Sequence, residues 1–190
     1  MPTFDRSTVS RRRLVTGLGG GVAASVAGCL GGDAAEDVAP VSLDGERACD
    51  QCGMIIEDHP GPVGQIHFSD DEPEGGRPGQ FCSSTCTYRY LFDAEDEGRD
   101  VLATFLTDYS TVDYETFSGG GDTMFSSHVE REAFGQMTEL TVVARSEVIG
   151  AMGPELIPFS DDDDADAFVA KYGGEAIPAE DVNRSTLEAL

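Results

Sequence analysis

Two closely spaced pairs of cysteines constrain this chain more than anything else in it. The first pair lies in Cys49-Asp50-Gln51-Cys52-Gly53-Met54, two thiols and a thioether within six residues, in a stretch with neither helical nor strand periodicity. The second is Cys82 and Cys86, in Phe81-Cys82-Ser83-Ser84-Thr85-Cys86. Soft sulfur donors crowded this closely, beside a glycine that lets the backbone turn tightly, suit a loop that wraps a metal ion. Such sulfurs store a metal, hand it on, or only staple the fold.

A fifth cysteine, Cys29, belongs to the N-terminus. Ser10-Arg11-Arg12-Arg13-Leu14-Val15 resembles a twin-arginine export motif, with Arg11 and Arg12 as its pair. A mildly apolar run rich in Gly and Ala follows over residues 14–28, too short and too weak to stand as a permanent membrane span. It ends in Val26-Ala27-Gly28-Cys29, which resembles a lipobox, where a cysteine takes a lipid. Residues 1–28 then read as a lipoprotein signal peptide, Cys29 as the lipid anchor on the outer face of the cytoplasmic membrane, and residues 29–47 as a polar tether. The metal-binding domain is expected over residues 48–180, with a tail at 181–190.

Charge narrows the partners. The 190 residues include 36 acidic and 12 basic ones, a net charge of -24, and Lys171 is the sole lysine. One acidic and four basic residues precede Cys29, so a chain beginning there carries -27. That field repels nucleic acid and anionic lipid. A uniformly acidic, lysine-poor surface fits high salt, where self-repulsion is screened, and so points to a halophilic source.

Periodicity predicts an α+β domain with mostly antiparallel sheets. Residues 64–68 alternate as a strand, and 80–82 end another. Ser83 or Ser84 can cap a helix to about Glu95, with Tyr88, Leu91 and Phe92 on one face. Residues 101–108 are strand-like, and 118–122 form a glycine turn. In the second half, strands are expected at 139–144 and 155–159, with a turn at Ala151-Met152-Gly153-Pro154. A helix runs from a cap at Ser160 or Asp161 to Tyr172 and stops at Gly173-Gly174. A last short strand follows at 175–177. Residues 124–134 give no clear form. Each half thus reads as a small strand-strand-helix-strand unit. Asp161 to Asp164 read as a solvated helix start favoured by the helix dipole.

Three readings of the sulfurs follow. Cys49, Cys52, Cys82 and Cys86 can close a tetrahedral structural zinc site. Phe-Cys-Ser-x-x-Cys followed by aromatics resembles the small metal-binding modules called TRASH domains, and this makes a non-enzymatic binding or sensing module the alternative function. An exported chain can instead pair the four as two disulfides. The third reading is Cu(I), which takes thioethers where zinc rarely does. Met54 lies two residues after Cys52, and Met152 sits in a glycine-proline turn. His59 and His67 are weaker candidate donors, and His128 reads as structural. No Gly-x-Ser-x-Gly, P-loop, His-Glu-x-x-His or dinucleotide fingerprint is present, so the chain reads as no enzyme.

Cys-x-x-Cys-Gly-Met-Ile-Ile, followed by His59-Pro60-Gly61-Pro62 and Gln65-Ile66, closely resembles the start of the NosL family, accessory lipoproteins of nitrous oxide reductase. Thr107-Asp108-Tyr109-Ser110, Met152-Gly153-Pro154-Glu155-Leu156-Ile157-Pro158-Phe159 and Tyr172-Gly173-Gly174 match in order, so the resemblance covers most of residues 48–180. It implies a Cu(I) metallochaperone for denitrification that serves a copper-accepting client, nitrous oxide reductase or its assembly transporter. It also implies a two-unit α+β fold related to organomercurial lyase. Carried over residue by residue, it makes Cys52, Met54 and Met152 the first ligands, then Cys49, with Cys82 and Cys86 completing that site or forming another. Two departures stand out: many members lack a second cysteine pair, and a tryptophan common after the Asp-Tyr segment is missing here.

Overall fold

In chain order the elements of the computed structural model are β1 (Gly64–Phe68), β2 (Gly79–Phe81), α1 (Ser84–Asp96), β3 (Val101–Thr107), β4 (Thr116–Gly119), β5 (Asp122–Phe125) and β6 (Phe134–Gln136). They continue with β7 (Thr141–Ala144), β8 (Val148–Gly150), β9 (Gly153–Pro154), β10 (Ile157–Phe159), α2 (Asp162–Tyr172), β11 (Glu175–Pro178) and α3 (Arg184–Glu188). The structure describes residues 38–70 and 73–190. Arg11, Arg12, Cys29 and the first part of the expected tether lie outside the described residues.

One arrangement occurs twice. β1 is a central strand, paired antiparallel with β2 on one side and β3 on the other, and α1 joins β2 to β3. β7 is likewise central, paired antiparallel with β10 and β11, and α2 joins β10 to β11. The chain is a mixed α+β fold built from two strand-strand-helix-strand units. In each, the helix carries the chain back over the central strand so that the last strand can pair on its free edge. α1 approaches β1 closely: a methyl on Gly64 would collide with Thr87 Oγ1 and press on Leu106.

Both helices start where the caps predict. Ser83 accepts from the Cys86 N–H, and Asp161 accepts from the Asp163 N–H. Tyr88, Leu91 and Ala94 turn one face of α1 into a core with Ile56, Val63, Ile66, Phe81 and Leu106. α2 buries Ala165 and Phe168 against Phe125, Ile157 and Phe159 in a second cluster. Each large apolar side chain so buried stabilises the fold by roughly 1.5–3 kcal/mol. Gly173, with φ 72°, ends α2 in a conformation that glycine adopts freely.

The structure departs from the sequence reading in four places. The packed chain begins before Ala48: Leu43 is fully buried, its N–H donates to Val129 O, and Val41 exchanges two hydrogen bonds with the Gln65 side chain. Residues 181–190 are no loose tail. Asn183 forms a capping box that starts α3, Val182 is buried, and Arg184 pairs with Asp93 and Asp96 on α1. A third sheet, ordered β4-β5-β8-β9, contains a parallel β5–β8 pair. It gives a form to the start of residues 124–134, and its β4–β5 hairpin turns at the 118–122 glycines as expected. Finally, residues 137–139 close as a 3-10 turn, which shortens β7, and Glu155 turns away from β10 toward α1.

Candidate metal centre

The cysteine loop is stitched to the strand that carries the second pair. The Cys49 N–H donates to Met54 O and the Gly53 N–H to Cys49 O, which closes the loop, and Gly53 takes φ 79°. The Asp50 N–H donates to Gln80 O, and the Gln80 side-chain amide donates to Ala48 O. The Asp50 carboxylate accepts the Gln80 N–H and both guanidinium arms of Arg77 at 2.7 Å each. This bidentate pair fixes the loop beside the end of β2. Cys82 directly follows β2, and Cys86 sits in the first turn of α1, its N–H held by Ser83.

The four sulfurs meet there. All lie within 4.8 Å of one another, with Cys52 3.4 Å from Cys82 and Cys82 4.0 Å from Cys86. All four are free thiols, so the structure does not join them as two disulfides. A tetrahedral ion about 2.3 Å from each of four sulfurs needs sulfurs about 3.8 Å apart. The observed spacing brackets that length, so the cage suits one thiophilic ion with little rearrangement. Cys49, Cys82 and Cys86 are buried, and Cys52 alone is exposed.

Sharing of protons sets the electrostatics. S–H donation from Cys82 and then Cys86 pulls the Cys49 thiol far below its ordinary range. Hydrogen bonding to Cys49 pushes Cys82 strongly up and Cys86 up to about 12. Metal ligation by such thiols displaces their protons, so binding here is coupled to pH.

The other sequence candidates fall around this cage. The Met54 side chain is half-buried and packs against the hydrophobic cluster that contains Cys49, Cys82 and Cys86. Met152 is 40% exposed in the turn between β8 and β9. Among the described residues the cage holds cysteines and no histidine. His67 stands half-buried on β1, 3.2 Å from Gln65 Oε1 and edge-on to Phe105, and burial lowers its pKa. His128 Nε2 lies 3.1 Å from Ser126 Oγ. Asp161 to Asp164 cap and open α2, as read from the sequence.

Sequence reasoning missed the supports of the cage. Asp50, Arg77 and Gln80 look like ordinary loop and strand residues until the loop is folded. Glu155 carried a signal: it is the lone acid in the apolar run Pro154-Glu155-Leu156-Ile157-Pro158-Phe159. It is buried, and desolvation raises its pKa from 4.5 to about 7.

The family's sequence model matches residues 40–187. The chain belongs to the NosL family. It is 27% identical over 153 residues to the copper-binding lipoprotein NosL of Stutzerimonas stutzeri, covering 80% of this chain and 70% of that protein. Its fold is similar to the crystal structure of the copper chaperone NosL from Shewanella denitrificans, with a TM-score of 0.61 at 24% identity, over 77% of this chain and 96% of that one. The solved NosL structure matches the α+β class, and in this chain the two cysteine pairs converge in one cluster. Among the described residues no helix is long and apolar enough to cross a membrane.

Proposed function

We infer that this protein is an exported, lipid-anchored metallochaperone that takes Cu(I) as cargo and supplies it for the maturation of nitrous oxide reductase or a related copper enzyme. One observation carries the reading: four free thiols converge in a NosL-family chain, three buried and one exposed. Cu(I) is soft and accepts two to four sulfur donors, so a cage of thiolates can hold it with some ligands idle. Cys52 is the donor that a partner's sulfur can reach, and exchange through it releases the ion without opening the core. The thioethers of Met54 and Met152 are neutral donors that can hold the ion in transit. A relative named a copper-binding lipoprotein supports both the cargo and the anchor at Cys29.

A second reading is a structural zinc site. It is favoured by the near-tetrahedral spacing and by the burial of three of the four sulfurs. Copper transfer separates the two. The full chain, loaded anaerobically with Cu(I), is mixed with copper-free nitrous oxide reductase and the two are separated. The chaperone reading expects copper in the reductase fraction, and slower transfer from a loaded Cys52→Ser variant. Retention of all metal by the chain, with zinc bound in preference to Cu(I), would favour the structural site.

A further inference from the structure

Glu155 is an acid that the cage itself does not use. It is 1% exposed. Its Oε1 accepts from the Thr85 N–H at 2.8 Å, the Thr85 hydroxyl at 2.9 Å and the Leu156 N–H at 3.0 Å. Its Oε2 is buried with no hydrogen-bond partner among the described residues. A half-satisfied buried carboxylate is costly, and a leucine would pack in an apolar run at less expense. α1 already has its cap in Ser83, so Glu155 is not needed to start the helix.

What Glu155 does join is two segments far apart in sequence. Thr85 is the residue before Cys86. Glu155 directly follows β9, three residues after Met152. The β8–β9 hairpin is shaped to admit the carboxylate: a methyl on Gly150 would come within 3.0 Å of Glu155 Oε2. The other side of the hairpin rests on the turn that follows the Cys-Gly-Met loop. There a methyl on Gly61, which has φ 99°, would come within 3.0 Å of Gly150 Cα. Ala151 packs against the cluster that contains Cys49, Cys82 and Cys86. Three residues of chain reach at most about 10 Å, so fixing Glu155 on Thr85 keeps Met152 close to the first turn of α1.

We propose that Glu155 is a positioning residue that clamps the β8–β9 hairpin to the start of α1 and so holds the Met152 thioether in reach of the four-thiol cage. The clamp rests on the Cu(I) reading above. It assigns the single acid in that apolar run to ligand placement: the carboxylate touches no cargo, and it acts through the hairpin backbone. Partners that orient a ligand in this way are worth about 10–100-fold in metal affinity.

The test is a coupling cycle read by anaerobic Cu(I) competition against a chromophoric chelator, with the full chain. Met152→Leu and Glu155→Leu should each weaken Cu(I) by about tenfold. The double variant Glu155→Leu/Met152→Leu should be no weaker than either single one, because an unclamped hairpin has already lost the thioether. Glu155→Leu/Met54→Leu should instead show the product of its single effects, since Met54 lies on the other loop. Glu155→Gln should bind near the parent level, as its amide oxygen still accepts from Thr85. Independent effects of Glu155→Leu and Met152→Leu, or parent-like binding by Glu155→Leu, would overturn the clamp. Parent-like binding by Met152→Leu alone would instead remove Met152 from the copper site, which is a failure of the ligand assignment and takes the clamp with it. If Glu155→Leu does not fold, Gly150→Ala, which pushes the hairpin off an intact carboxylate, takes its place in the cycle with the same outcomes.

Discussion

At the scale of single residues the cage divides its labour by exposure. Cys49, Cys82 and Cys86 are buried in the core, while Cys52 faces solvent. Cys52→Ser should therefore weaken Cu(I) more than the roughly tenfold expected of a methionine variant, because it removes an anionic donor. Met54→Leu and Met152→Leu should leave zinc affinity unchanged; parallel Cu(I) and zinc titrations read both, and equal losses for the two metals would contradict the thioether role. Glu155 gives a pH signature. Burial raises its pKa from 4.5 to about 7, so the folded state favours the neutral acid. Its contribution is complete below pH 4.5 and lost as pH rises through 7, worth about 3 kcal/mol over that window. In urea melts from pH 4 to 8 the metal-free parent should lose stability relative to Glu155→Gln as pH rises, since the amide cannot ionise; a constant difference would exclude the titration. The sulfurs were legible in the sequence because five cysteines and five methionines are few and their spacing is tight. Glu155 showed only as the lone acid of an apolar run, because its burial depends on a contact 70 residues away.

At the scale of elements, the two repeated units were legible because each helix announces itself. Ser83 and Asp161 stand before apolar residues at helical spacing, and glycines follow Tyr172. The third sheet was not legible. Its strands run two to four residues, too short to show alternation, and its parallel β5–β8 pair is made by chain segments over twenty residues apart. α3 escaped for the same reason: at five residues it exists through its Asn183 capping box and its ion pairs to α1. The contact between β1 and α1 places the cysteines, since α1 carries Cys86 over the sheet. Gly64→Ala would drive a methyl into Thr87 Oγ1 and should cost about 1–3 kcal/mol. Thermal unfolding measures this, and an unchanged melting temperature would mean that α1 yields without cost.

At the scale of the whole molecule, charge governs stability. A net charge of -24 strains the folded chain at low salt, and salt screens that self-repulsion. Stability should rise steeply from low toward molar salt; a melting temperature flat across that range would contradict adaptation to brine. The proposed lipid anchor at Cys29 is tested at this scale as well. Cys29→Ser should release the protein from the membrane fraction, and full retention there would rule out lipidation at that residue. The metal that the cage holds separates a copper chaperone from a structural zinc module, and X-ray absorption on the full chain, purified anaerobically and offered equimolar Cu(I) and zinc, identifies it. The account predicts one Cu(I) in an all-sulfur shell, with the sulfur count reduced in Cys52→Ser. Zinc bound by four sulfurs and not displaced by Cu(I), with unfolding on loss of any of Cys49, Cys52, Cys82 or Cys86, would contradict it.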